Sequence, residues 1–89
     1  MNIELKDGWR VCSKDLSKFI GVSHFQLKQT IQKYHNHFED FAYLYTSDNE
    51  YYLNLPQCEI AILFSLSDKL KARFLFTNIY KEFSKARQS

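Results

Sequence analysis

Only two glycines occur in this 89-residue chain, and one of them, Gly21, divides residues 13–34 into two short apolar-periodic halves. Leu16, Phe19 and Ile20 precede it, and Leu27, Ile31 and Tyr34 follow it at i, i+4 and i+7. Ser13 and Ser23 stand where each half begins, and a serine hydroxyl can accept a free N–H of a helix's first turn. Glycine suits the junction because it takes the left-handed conformation without a Cβ clash. The segment therefore predicts a helix-turn-helix.

Such a pair packs its second helix on the first and leaves an outer face for a DNA major groove. With Leu27, Ile31 and Tyr34 turned inward, a rotation of about 100° per residue centres that face on Phe25, Gln29 and Gln32. Lys28 and Lys33 flank it, and Ser23, His24 and Gln26 in the first turn complete the candidate DNA-contacting set. Glutamine amides can read adenine edges, lysines can hold phosphates or a guanine, and Phe25 offers apolar contact to a thymine methyl or to a protein. An ordinary helical hairpin with a solvated outer face satisfies the same few positions.

A hydrophobic content of 45% and an aromatic content of 17% exclude disorder, and the length allows one modest core, so a single domain over residues 1–89 is expected. The net charge of +2 is too small to announce nucleic-acid binding by itself. Its distribution adds more. Lys69, Lys71, Arg73, Lys81, Lys85 and Arg87 crowd the last 21 residues, against Asp68 and Glu82. Lys69, Lys71 and Arg73 are the candidates for phosphate contact, and a solvated helix face is the equal alternative.

Cys12 and Cys58 lack the short spacing of a metal or redox motif and are expected as buried free thiols. His35 and His37 sit in a polar stretch and read as exposed side chains, so no metal and no other cofactor is expected. There is no phosphate loop, nucleophile elbow or paired acid and base, and no enzyme is read here. The opening MNIELKDGW has no apolar run of signal-peptide length, and no segment reaches the roughly 20 apolar residues of a membrane span. A soluble cytoplasmic protein is expected.

Ahead of the helix pair, residues 9–12 read as a short extended run and residues 2–5 as a second strand or an arm. HNHFED, after Tyr34, reads as a connector anchored by Phe38. From 41 to 55 the period becomes two, with Phe41, Tyr43 and Tyr45 on one face and Tyr51, Leu53 and Leu55 on another. Asp48 and Asn49 between them predict a hairpin. A hairpin after a helix-turn-helix is a wing, but Asp48 and Glu50 at its tip oppose a phosphate grip. Pro56 opens PQCEIAILFSL, a helix apolar nearly all round and expected to be buried. Ser67 and Asp68 can cap the last helix, in which Ala72, Phe76, Ile79, Phe83 and Ala86 form one seam. Leu70, Phe74 and Leu75 lie outside that seam and predict homodimerisation through this helix. The fold class is α+β: a small helix-turn-helix, winged-helix-like domain with a β-hairpin and two C-terminal helices.

The element order and several short motifs resemble the amino-terminal domain of phage regulatory proteins of the Rha type. The family's opening pattern is similar to Val11, Ser13, Asp15, Leu16, Gly21 and His24, and its continuation to Leu27, Lys28 and Ile31. Tyr52, Leu53 and Leu55, then Ile62 and Leu63, resemble the stretch into its buried helix. Its ending is similar to Lys69, Lys71, Phe74, Tyr80, Glu82 and Phe83. The resemblance implies a phage or prophage origin, a winged-helix-like domain and a DNA-binding transcriptional regulator whose partner is double-stranded DNA. With the chain ending at Ser89, no further effector region is expected. The alternative is a small phage-encoded inhibitor that binds a host protein, for example a component of an anti-phage defence system such as CRISPR-Cas.

Overall fold

The computed structural model describes residues 10–88. The expected arm at residues 2–5 and Trp9 lie outside them, as does the side chain of Ala86. Along the chain run β1 (Val11–Cys12), α1 (Ser13–Ile20), α2 (His24–Lys33), α3 (His35–Glu39), β2 (Tyr45–Ser47), β3 (Glu50–Leu53), α4 (Leu55–Ser65) and α5 (Lys69–Gln88). This is a small α+β fold with a helix pair, a hairpin and two C-terminal helices, compatible with a winged-helix-like domain.

Gly21 ends α1 as expected, at φ 89°, with its N–H and that of Val22 both donating to the Ser17 carbonyl. α2 then starts on a reciprocal cap: the Gln26 N–H donates to Ser23 Oγ at 3.0 Å and the Ser23 N–H to Gln26 Oε1 at 3.4 Å. Ser13 does not cap α1. That position belongs to Cys12, which makes no side-chain cap bond, and Ser13 is fully buried inside the first turn. The connector after Tyr34 is helical rather than a loop, and Phe38 anchors it from complete burial.

β3 is the middle strand of an antiparallel sheet ordered β1-β3-β2, with Val11 opposite Leu53, Cys12 opposite Tyr52 and Tyr45 opposite Tyr52. The hairpin turn is Asp48–Asn49, at φ 53° and 64°, the two positive values that a tight two-residue turn requires. Aspartate and asparagine reach that region more readily than other side chains. The strands are shorter than their alternation implies. Phe41 and Tyr43 precede β2, and Leu44, immediately before the strand, is the buried anchor of the approach. Arg10 fixes the same stretch by donating from Nη1 to the carbonyls of Tyr43 at 3.2 Å and Tyr52 at 2.9 Å.

Leu55 is the first residue of α4, not the end of a strand, because Asn54 and Gln57 form a second reciprocal cap at 3.0 and 2.9 Å. Gln57 is fully buried, and its Nε2 also donates to the carbonyls of Phe38 and Ala42. One side chain thus starts α4 and straps the α3–β2 connection onto it. α4 is not buried all round: Cys58, Ala61 and Ile62 face inward, whereas Glu59 and Leu63 are exposed. Asp68 caps α5, accepting from the Leu70 and Lys71 N–H groups at 3.0 and 3.2 Å. Within α5, Ala72, Ile79 and Phe83 are buried as the seam requires, and Leu75 joins them rather than lying outside.

Core contributions come from every helix: Leu16, Ile20, Leu27, Ile31, Phe38, Ile62, Ile79 and Phe83 are all essentially inaccessible. Each is worth about 1.5–3 kcal/mol of hydrophobic burial. Ser13, Ser17 and Gln57 are the buried polar residues, and truncating Gln57 leaves two carbonyls and the Asn54 N–H without their partner. Gln57→Ala is expected to lower unfolding stability by about 2–4 kcal/mol in urea titration. A loss below about 1 kcal/mol would show that this strap is not structural.

Candidate nucleic-acid interface

α2 is held by its inner side, where Leu27 and Ile31 are fully buried, and Tyr34 at its end stacks on Phe64 of α4 at 4.2 Å between ring centroids. The opposite side is open: Phe25 is 70% exposed, and Gln26, Gln29, Gln32 and Lys33 are exposed as well. The spacing argument therefore places these residues on the outside as expected.

The first-turn candidates have other work. Ser23 and Gln26 close the cap of α2 upon each other. His24 is half-buried, with Nε2 2.9 Å from Ser13 Oγ, and that oxygen also accepts the Tyr51 N–H of β3 at 3.0 Å. His24 is thus a strut between α2, α1 and the hairpin. Nothing in its spacing marked it as such, because its partners are 11 and 27 residues away.

Among the described residues, hollows border α2 on two sides. On the hairpin side, Lys28 and Gln32 face Thr46, Asp48, Asn49, Glu50 and Tyr51 across a groove. On the other side, Gln26, Gln29 and Lys33 border a hollow closed by Phe64 and Ser65 at the end of α4. The Lys33 ammonium lies 5.4 Å from the Tyr34 ring centroid, a cation–π distance that directs its stem along the helix. The groove is electrostatically mixed, with Lys28 on one wall and Asp48 and Glu50 on the other. A phosphate is favoured only on the helix wall.

Lys69, Lys71 and Arg73 are exposed, but they do not border either hollow. Lys69 and Arg73 line a different groove, between α4 and α5, together with Leu63, Leu66, Leu70, Ala72 and Phe76. The structure thus brings the α2 candidates together and sets two of the three α5 cations on an apolar furrow of their own.

Among the described residues, no three His, Cys, Asp or Glu side chains converge as metal ligands, and no helix is long and apolar enough to cross a membrane. Both cysteines are free. Cys58 is buried as expected, its thiol pushed far up by desolvation and by the nearby Glu59 charge, whereas Cys12 is only half-buried. Comparison with known protein families, characterised proteins and solved structures yields no match.

Burial holds His24 below its ordinary value of 6.5, with Lys28 and Lys14 adding to the effect and Glu50 opposing it. The neutral ring is therefore the form that the fold prefers. Above about pH 6.5 its contribution to stability is fully present, and it is lost as pH falls below that value toward the lower folded pKa, because the unfolded chain takes up the proton first. The urea midpoint of the wild type relative to His24→Gln is expected to fall between about pH 7.5 and about pH 5.5. An unchanged difference across that range would remove His24 as the titrating strut.

Proposed function

We propose that this protein is a phage or prophage transcriptional regulator of the Rha type, working in the bacterial cytoplasm by binding double-stranded DNA through α2. The observation that carries the reading is the division of α2 into an anchored side, Leu27 and Ile31, and an open side. Along the open side lie Phe25, Gln29, Gln32 and Lys33, with Lys28 in the groove toward the hairpin. An exposed helix face of this width fits a major groove, about 12 Å across.

The chemistry assigns distinct parts. Gln29 and Gln32 carry the bidentate amide that matches the N6 and N7 edge of adenine, and Phe25 suits a thymine methyl. Lys28 and Lys33 supply phosphate contacts or a bond to guanine. Ser23, His24 and Gln26 act through the fold, by fixing where the helix begins. Asp48 and Glu50 keep the hairpin tip away from the phosphates, so the hairpin positions α2 rather than gripping the backbone.

A second reading is favoured by the same exposed Phe25 together with the acidic groove wall: inhibition of a host protein through this surface. The two part on charge. DNA binding requires Lys28 and Lys33, whereas a protein partner held by Phe25 does not.

Anisotropy titrations with DNA sites selected from a random pool are expected to give binding tighter than about 10 μM at low salt. Lys28→Ala with Lys33→Ala should weaken it about tenfold or more. With these two phosphate contacts alone, log K falls against log salt with a slope of about −2 per bound chain, and Lys69, Lys71 and Arg73 on the backbone would take it toward −4 or −5. No binding at about 10 μM would overturn the regulator reading. Binding that survives the double substitution while Phe25→Ser abolishes activity in the host would move the function to the protein partner.

A further inference from the structure

The +2 net charge conceals a sharp division: residues 34–68 hold six of the ten acids and none of the twelve lysines and arginines. Within that stretch lies a surface segment that is both acidic and aromatic. Glu39, Asp40, Phe41, Tyr43 and Tyr45 are all exposed, Tyr43 by 75%, and only Leu44 among them is buried as the anchor. The sheet register continues this surface, since Tyr45 and Ser47 share a face with Tyr52 and Glu50, and the Tyr45 and Tyr52 rings meet edge-on at 5.7 Å. Arg10, held by the Tyr43 and Tyr52 carbonyls, and His35, 3.1 Å from Glu39, border the surface, and Glu39, Asp40, Asp48 and Glu50 outnumber the one fixed cation.

The outer side of α5 is its complement. Leu70 is 79% exposed, Phe74 and Tyr80 are exposed as well, and Lys71, Arg73 and Lys81 stand between them. The only acid of α5 is Glu82, half-buried and 3.8 Å from the Lys85 ammonium. A second α5 laid against this side would oppose cation to cation, which costs free energy where the charges are desolvated. The expectation of a dimer sealed by two C-terminal helices thus meets an electrostatic objection.

We infer that two copies of this chain associate by docking the outer face of α5 of one onto the acidic, aromatic 39–50 surface of the other. Opposite charge selects the pairing, and aromatic rings on both sides supply the apolar area and cation–π contacts. The occupant is a second copy because both halves of the contact are present on one molecule. The inference goes beyond the DNA reading and does not depend on it.

Sedimentation equilibrium of the full chain, without DNA, tests it at about 100 μM in about 20 mM and about 500 mM salt, where the screening length falls from roughly 20 Å to roughly 4 Å. The expected result is a mass at least twice the 10.7 kDa of the monomer at low salt, falling toward the monomer at high salt. Glu39→Lys with Asp40→Lys, and separately Lys71→Glu with Lys81→Glu, should each give monomers, with circular dichroism confirming that they remain folded. Mixing the two variants should restore association, because each supplies the surface that the other has reversed. Tyr43→Ser, which leaves all charges in place, should also dissociate the pair. A wild type that is monomeric at both salts, association untouched by either reversal, or a mixture that stays monomeric would each overturn the inference. A failed DNA titration leaves all of these outcomes intact.

Discussion

The arrangement of the helix pair against the hairpin depends on one oxygen, Ser13 Oγ. β1 pairs with β3 for two residues, Val11 with Leu53 and Cys12 with Tyr52, and the same register would set Ser13 against Tyr51. At that point the backbone has already turned into α1. The Ser13 hydroxyl takes the place of the missing strand partner by accepting the Tyr51 N–H, and meets His24 Nε2 with its remaining capacity. One side chain therefore lets a strand become a helix without leaving this part-buried N–H unpaired. The start of α2 is tied to the same oxygen, so the angle between α2 and the hairpin is set where α1 begins.

From that joint outward, the fold gives several residues of the first turn of α2 partners of their own. Ser23 and Gln26 satisfy the free N–H groups at the start of α2, and His24 is drawn inward to the joint. What remains without a structural partner role is a narrower set, Phe25, Lys28, Gln29, Gln32 and Lys33, in which the two lysines are the charged members. Helices that read a groove commonly use their first turns. Here the first turn is committed to holding the helix still, and the open residues lie from its middle to its end, apart from Phe25.

The parts legible in the sequence were those decided locally. Gly21 needed only its own positive φ, Asp48–Asn49 only the geometry of a two-residue turn, and Asp68 only the free N–H groups two and three residues ahead. Leu27 and Ile31 were legible because helical spacing alone places them on one side. Ser13 and Gln57 were not. Ser13 reads as a cap and Gln57 as one position of a buried helix, and their bonding is hidden from both readings because each answers carbonyls or N–H groups brought from 15 to 38 residues away. Leu55 failed for a different reason. Strand alternation and the Asn54–Gln57 cap compete for it, and the cap wins because it satisfies two backbone groups that a strand end would leave to solvent. The outer face of α2 follows from periodicity, but the cap of Ser23 and Gln26 upon each other and the inward bond of His24 do not, since spacing reports direction and not occupation.

Charge is where whole-chain composition misleads most. A balance of +2 describes a molecule with a nearly featureless field, yet the central residues carry a charge of −6 and the cations lie wholly in the flanking sequence. At an ionic strength where fields decay over about 8 Å, a ligand senses the local segment and not the sum. The α2 wall of the groove can attract an anion while the hairpin wall, a few residues of side chain away, rejects it. Such a groove discriminates by position: an anion is accepted only if it lies along the helix, and a chain of phosphates is steered away from the hairpin tip. The acidic middle therefore works as a constraint on how α2 can be approached, and it gives the 39–50 surface a sign opposite to that of α5.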